Sequence, residues 1–600
     1  MIRVADYIIE RIYNEGVRSV FYVPGGQCVY LTDALRRKED MHAVAVHHEQ
    51  AAAMGALTYS LLSDNIGACL VTTGCAGTNT MTGLLHAWQD SIPCIFVSGQ
   101  QNYDQTVHAS GLPLRQVGVQ EADIETIAKP ITKYAVTIES ENDVVYEIDK
   151  AIYYAREGRP GPVWIDVPLN IQNAMINVDK MIHFDASNKE LIINSSDIQY
   201  VMEGLKKAKR PIVLAGHGIR CAYAIEELRA FINNNQLPVV FSRFSSDLMP
   251  FESEYNMGIV SGIAGASRYG NFAIQNSDFV LSIGCRLSID TTGPDRESFA
   301  REAEICVVDI DKIEHSKKGV KIDRFIHGDA KSFLAELNKC RPLERKVDWM
   351  STCNHWKDIF SEADPVLDSG TPIDAKYVIR KISGYMPEGS VVISDAGFTG
   401  AAVPANIKNR KCDRIIHSFA QGEMGYSLPG ACGAAELTEK PIVSFTGDGS
   451  FMMNLQELQT VVRNRYNIKI IIISNNGYSG VRHGQQAHFR GKTIGTDSGN
   501  GVDFPDYGKI AEAFGINYCK IKTYAEIDTC LHRVFENDSP FVCEVITDPD
   551  QFDLHNALVT YGKRKYGFRP IEDQSPFIER DVFFEEMIIE PMETSYGTPV

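Results

Sequence analysis

Several things are missing from this 600-residue chain, and each absence narrows what it can do. No apolar run approaches the roughly 20 residues that a membrane-spanning helix needs. Basic charge is not in excess: 59 Lys and Arg stand against 77 Asp and Glu, a formal charge of −18. That argues against a nucleic-acid or anionic-membrane surface. The 14 cysteines contain no C-x-x-C pair, and Cys69, Cys94, Cys285 and Cys306 fall in apolar, strand-like stretches. They read as reduced cytoplasmic thiols packed as small hydrophobes, so neither a disulfide framework nor a zinc site is expected. The opening MIRVADYIIERIYNEG alternates charge early and has no uninterrupted apolar core, which predicts a helix and not a secretory signal.

What is present is a repeated unit. An apolar strand, a Gly-containing turn, a helix and a second strand recur in Ala68–Gly99, in Arg210–Ser242 and in the stretch from Phe445. With 44% hydrophobic residues and no low-complexity tract, this predicts an α/β chain of three doubly wound, parallel-sheet domains. Polar, irregular links at Asp179 to Asp197 and Cys340 to Thr371 place the domains at 1–178, 190–340 and 365–550. A Pro-containing acidic tail, 551–600, reads either as an arm or active-site cover or as a partly disordered surface segment.

The stretch FTGDGSFMMNLQELQTVVRNRYNIKIIIISNNGYSG, Phe445 to Gly480, carries the chemistry. One apolar strand stops at Gly447-Asp448-Gly449 and the next at Ser474-Asn475-Asn476-Gly477. Asp-Gly and Asn-Gly also serve as ordinary turn residues. In a parallel crossover, however, both strand ends open onto one crevice, where ligands of α/β folds bind. Phe451, Leu455, Leu458 and Val462 recur at helical spacing and predict the crossover helix. Hard oxygen donors beside a helix N-terminus suit Mg²⁺ carrying phosphate oxygens. No Lys follows the glycines, so this is not a P-loop and the counter-charge must come from the metal.

These residues resemble the thiamine diphosphate (ThDP) enzymes, whose signature is Gly-Asp-Gly followed about 27 residues after the Asp by a ligand Asn, the second of an Asn-Asn pair. Asn475 stands 27 residues after Asp448, with Ser474 in place of the first Asn. Choosing Asn476 would stretch the spacing by one. The resemblance makes Asp448, Asn475 and the Gly477 carbonyl the metal ligands, and places Gly397, Gly447, Gly449 and Ser450 at the cofactor. The three-domain layout and REGRPGPVWIDVPLNIQ, Arg156 to Gln172, resemble the acetolactate synthase and pyruvate oxidase branch over roughly the first 550 residues. The domains then become pyrimidine-binding, central nucleotide-binding-like and diphosphate-binding.

In VHHEQAAAMGALTYSLL the resemblance assigns Glu49 to the cofactor's aminopyrimidine ring. A Glu at a helix start is otherwise a dipole-favoured cap. The small residues that follow let another backbone approach closely, so Glu49 is expected buried at an interface, its carboxyl raised by burial and able to share a proton with the ring. Met424, in GEMGYSLPG, matches the bulky residue that bends the cofactor; it could also be a core Met. Gly26 in VPGGQC and Gln120 in GVQE match active-site loops. Because Glu49 and Asp448 lie in different domains, the resemblance implies a homo-oligomer, dimer or tetramer, with active sites between subunits.

The resemblance implies a decarboxylating carboligase acting on a 2-keto acid such as pyruvate, with four acceptor-side departures. Val119 replaces a family Phe, Gly480 a Met, Gly484 a Trp and Asp290 an Arg. An Arg fork suits a carboxylate; an Asp there is expected to repel a keto acid and favour a larger neutral acceptor. NNGYSGVR resembles the branch found with surface-polysaccharide and branched-sugar pathways, where the acceptor is a nucleotide-linked keto-sugar. Acetolactate synthesis from two pyruvates, simple decarboxylation and a non-catalytic ThDP-fold scaffold or sensor stand as alternatives. AGHGIR (Ala215–Arg220), Arg286 and VVDIDKIEHSKK, with Asp309 or Asp311, occupy stretches that bind FAD in relatives, and leave FAD open as a further cofactor.

Overall fold

The computed structural model describes residues 1–186, 191–361, 371–563 and 565–600, so the expected domain links lie partly outside the described residues. Three six-stranded parallel sheets follow one another. The first comprises β1 (Ser19–Tyr22), β2 (His42–Ala45), β3 (Gly67–Val71), β4 (Cys94–Gln100), β5 (Tyr134–Thr137) and β6 (Val163–Pro168), in the order β2-β1-β3-β4-β6-β5. The second, β7 (Pro211–Ala215), β8 (Val239–Phe241), β9 (Asn256–Ile259), β10 (Phe279–Ile283), β11 (Glu304–Asp309) and β12 (Arg324–His327), runs β9-β8-β7-β10-β11-β12. The third, β13 (Val391–Ser394), β14 (Arg414–His417), β15 (Ile442–Gly447), β16 (Ile468–Ser474), β17 (Asn517–Ile521) and β18 (Phe541–Ile546), repeats the first in the order β14-β13-β15-β16-β18-β17. This is the expected three-domain α/β architecture. The central strands are continuous β-branched runs because helices cover both faces: IKIIII of β16 is buried throughout.

Among the helices are α1 (Val4–Asn14), α2 (Glu49–Ser63), α3 (Met81–Gln89), α4 (Phe398–Asn406), α5 (Ser427–Ala435), α6 (Leu458–Asn464) and α7 (Ser479–His488). The small residues of α2 do admit a close neighbour, and it is α5 of the same chain: a Cβ on Gly433 would stand 2.2 Å from the Gly55 carbonyl oxygen. First and third domains thereby share one apolar core. Thr58 and Tyr426 close the contact with a 2.7 Å hydroxyl pair.

One expectation changes, and one open alternative is decided. The single crossover helix after β15 is instead a short helix at Asp448–Phe451, a 3₁₀ turn at Leu455–Glu457 and then α6. The break turns Asn454 inward, where its amide donates to the Gly425 carbonyl (2.8 Å) and to Gln50 Oε1 (3.1 Å). The tail is folded against the central domain. It forms an antiparallel sheet of Leu558–Tyr561, Lys565–Phe568 and Thr598–Pro599, and buries Glu572 against Arg301 (2.8 Å) and Gln275 (2.9 Å). Among the described residues no helix is long and apolar enough to cross a membrane.

Candidate active site

Strands β15 and β16 pair so that Gly447 faces Ile473, which places Asp448 beside the start of the Ser474–Gly477 turn. The Asp448 carboxylate is almost wholly buried, at 2% exposure. One oxygen accepts the N–H of Gly449 (2.8 Å) and the other the N–H of Gly477 (2.9 Å). Burial pushes its carboxyl up to about 6, only partly offset by those N–H groups and the Arg482 guanidinium, so a bound cation would further compensate this anion. Asn475 donates its amide to Ser479 Oγ (3.0 Å), which turns its carbonyl oxygen the other way. Arg482 ties the turn from outside by donating to the Asn476 and Asn475 carbonyls, at 2.9 and 3.1 Å. Gly477 takes φ +118, a conformation few side chains adopt, and a Cβ there would strike the Thr496 carbonyl at 2.0 Å.

Gly397, Met424, Gly447, Asp448, Gly449, Ser450, Asn475, Gly477 and Gly480 all line one cavity of about 660 Å³. Asn476 does not line it, in keeping with the shorter spacing. Gly397 (φ +69) and Gly447 have open space where a side chain would sit, as backbone that cradles a phosphate requires. Among the described residues no cluster of three or more His, Cys, Asp or Glu side chains could hold a metal. A cation here would rest on one carboxylate, one amide and one backbone carbonyl, a hard-oxygen set that leaves positions for phosphate.

The remaining expected site residues lie outside that cavity. Glu49 begins α2, half-buried, and accepts from Asn79 Nδ2 at 2.9 Å; within one chain it is not enclosed. Gly26 is exposed, and so is Gln120, which takes a positive φ of 61° on the loop after Gly118. Val119 is 76% exposed. Gly484 lies one turn beyond Gly480 on α7, and neither glycine has an atom within 4 Å of its would-be Cβ. Asp290 overturns an expectation: its carboxylate forms an ion pair with the Arg243 guanidinium. It is therefore not presented as a lone negative charge, although the same guanidinium is also acted on by the Asp553 carboxylate.

One feature escaped the sequence reading. Asp395, at the end of β13, is buried and accepts from the Tyr426 N–H (2.7 Å), Ser427 Oγ (3.0 Å) and Thr446 Oγ1 (2.7 Å). It joins the Met424 loop to the strand that delivers Asp448. The string Ser394-Asp395-Ala396-Gly397, an Asp-Ala-Gly closing an apolar strand, was the available signal. The central-domain stretches expected to face a nucleotide meet at a cavity of about 910 Å³ at the carboxyl ends of β7, β10 and β11, lined by His217, Gly218, Arg286, Asp309 and Phe419 among others. Asp309 lines it, whereas Asp311 turns away to Arg159 at 3.1 Å.

Comparison with known proteins agrees with this geometry over all three sheets. Residues 2–127, 198–337 and 395–545 match, in turn, the families described as the thiamine pyrophosphate enzyme N-terminal TPP binding domain, central domain and C-terminal TPP binding domain. The large subunit of acetolactate synthase isozyme 2 from Escherichia coli (strain K12) is 29% identical over 91% of this chain and 95% of its own. The acetolactate synthase large subunit of Buchnera aphidicola subsp. Schizaphis graminum is 32% identical over 87% and 90%. A probable acetolactate synthase large subunit from Methanococcus aeolicus is 30% identical over 91% and 92%.

Proposed function

Because the chain belongs to the acetolactate synthase-like thiamine diphosphate enzymes, we propose that it is a decarboxylating carboligase that takes a two-carbon unit from a 2-keto acid, pyruvate in the first instance, to a carbonyl acceptor roomier than a second keto acid. The observation that carries the carboligase reading is the convergence of Asp448, Asn475, Gly477 and Met424 on one cavity at adjacent strand ends. ThDP with a divalent metal, here Mg²⁺, supplies a nucleophilic carbon that accepts the electrons of decarboxylation. Asp448, Asn475 and the Gly477 carbonyl would hold the metal, and the open backbone at Gly397 and Gly447 would take the diphosphate. Glu49 would hold a proton at the pyrimidine nitrogen, and Met424 would set the bend.

Glu49 lies outside the cavity of its own chain, and the cavity's rim carries exposed apolar side chains, among them Met424 (38%) and Val481 (56%). A second copy that brings its Glu49, Gly26 and Gln120 to this rim would bury both. Active sites between subunits of a cytoplasmic homo-oligomer follow from that reading.

Room is the support for a large acceptor, such as a nucleotide-linked keto-sugar: Gly480 and Gly484 leave α7 bare on this face. The Arg243–Asp290 pair favours the second reading, acetolactate synthesis from two pyruvates, because it removes the repulsion expected of Asp290. The central cavity, on a sheet with the 3-2-1-4-5-6 order of dinucleotide-binding domains, supports a bound nucleotide such as FAD. The deciding experiment supplies pyruvate and a set of nucleotide-linked 4-keto-sugars together and identifies products by mass. A sugar heavier by one acetyl unit supports the first reading. Efficient acetolactate formation with no adduct supports the second.

A further inference from the structure

The segment Ser418–Met424 runs between the two cavities: Phe419 lines the central one and Met424 the one that holds Asp448. The first domain holds it throughout. Asp90, just after α3, accepts the N–H groups of Phe419 (3.0 Å) and Ala420 (3.1 Å). Gln421 donates to the Thr82 carbonyl at 3.1 Å. His86 on α3, wholly buried, has Nδ1 2.6 Å from an oxygen of Glu423, the neighbour of Met424. The other Glu423 oxygen accepts from the Ser418 hydroxyl, whose oxygen accepts the Gly422 N–H at 3.0 Å. His86 Nε2 stands 3.3 Å from Asp90 Oδ2, an ion contact without the alignment of a hydrogen bond.

A neutral imidazole has one N–H and would turn a lone pair toward one of these carboxylates, whereas the protonated ring offers an N–H to both. Burial alone would lower the His86 pKa, but Glu423 and Asp90 outweigh it and raise it to about 10. The other groups around it do not compete for that charge. Burial pushes His417 down to about 3 and His217 to about 4. Tyr426 lies with its ring 4.9 Å from the imidazole and its hydroxyl on Thr58. Arg286 acts on Asp90 and Arg243 on His417, from the central-cavity side. His86 is thus the cation between two buried anions.

We propose that His86 is a positioning residue for the reaction: by bridging Asp90 and Glu423 it fixes Ser418–Met424, so that Met424 keeps its place in the cofactor cavity. The proposal rests on the reading of Met424 given above. Gly422 (φ +63) and Gly425 (φ +81) flank the Glu423-Met424 pair, and without the clamp the two residues could swing between them. Removing the imidazole leaves two like charges buried together, and one carboxyl then takes up a proton near neutral pH. Simple loss of packing would not produce that titration.

The test measures hydrogen–deuterium exchange at C2 of ThDP, bound with Mg²⁺ to the whole protein, by NMR of quenched samples across pH. His86→Gln is expected to bind ThDP nearly as wild type does, yet to exchange about 10- to 100-fold more slowly, the range lost with groups that orient a catalytic centre. Its rate should acquire a titration between about pH 5 and 8 that wild type lacks, and adding Glu423→Gln should abolish that titration. Wild-type exchange at every pH in His86→Gln, with Met424→Ala slow, would overturn the clamp alone. Wild-type exchange in Met424→Ala would overturn the reading beneath it. If His86→Gln does not fold, Glu423→Ala alone removes the same contact: slowed exchange is expected, and an unaltered rate overturns the proposal.

Discussion

The first and third sheets have the same strand order, and their equivalent strand ends do opposite things. In the third domain β15 and β16 end at Gly447-Asp448-Gly449 and Ser474-Asn475-Asn476-Gly477, and the crevice between them is open. In the first domain the corresponding β3 and β4 end at Thr72-Thr73-Gly74 and Gln100-Gln101, and the crevice is filled from within. Thr73 Oγ1 donates to Gln100 Oε1 (2.7 Å), and Gln100 Nε2 donates to Asp166 (3.0 Å) and the Ala122 carbonyl (2.9 Å). Both ends hold a buried carboxylate raised by burial, but Asp448 faces an open cavity, whereas Asp166 is closed off by the Gln100 amide and the Ser98 hydroxyl. Topology put both crevices in place, and four or five side chains decided which could take a metal and phosphate.

The largest expected effect comes from making the third domain resemble the first. Asp448→Ala should lower carboligase turnover beyond the roughly 10- to 100-fold that loss of a mere supporting group costs at a metal site, whereas Thr73→Ala in the first domain should leave turnover within a fewfold. Comparable losses in both, by steady-state assay with excess ThDP and Mg²⁺, would break the asymmetry. Glu49→Gln comes next: it should retain ThDP binding and lose about 100-fold or more of the C2 exchange rate, as expected for removal of a proton-holding group.

How much of this could be read from the residues follows the same division. The Gly-Asp-Gly and Asn-Asn-Gly ends were legible because they interrupt long apolar strands at a fixed spacing, and the three sheets were legible from repeated strand–turn–helix units. The crossover was misjudged because Leu455 and Val462 keep helical spacing across a break that turns Asn454 onto Gly425. The Arg243–Asp290 pair joins residues 47 positions apart, so neither string announces the other. Asp395 and His86 act through partners on other elements, and a lone Asp or His in sequence does not name its partner.

Smaller effects sharpen the comparison. Gly484→Trp should refill the face of α7 and cost a large acceptor about 10- to 100-fold in kcat/KM while sparing pyruvate turnover; equal losses for both acceptors would show that Gly484 does not border the acceptor. The least visible effect is on stability. His86 has its pKa raised from 6.5 to about 10 in the folded chain, so its contribution is complete below about pH 6.5 and disappears as pH rises through about 10. The melting temperature of wild type should therefore exceed that of His86→Gln by a margin that narrows with increasing alkalinity. A margin that stays constant from neutral pH to beyond 10 would mean that packing alone makes the difference.

The central claim, that the ends of β15 and β16 bind the diphosphate through a metal, is tested most directly by titrating ThDP calorimetrically into metal-stripped protein with Mg²⁺ or with chelator present. The account predicts tight binding to wild type only with Mg²⁺, and weak, Mg²⁺-independent binding to Asp448→Ala. Affinity that is the same in the variant and unmoved by the chelator would contradict it.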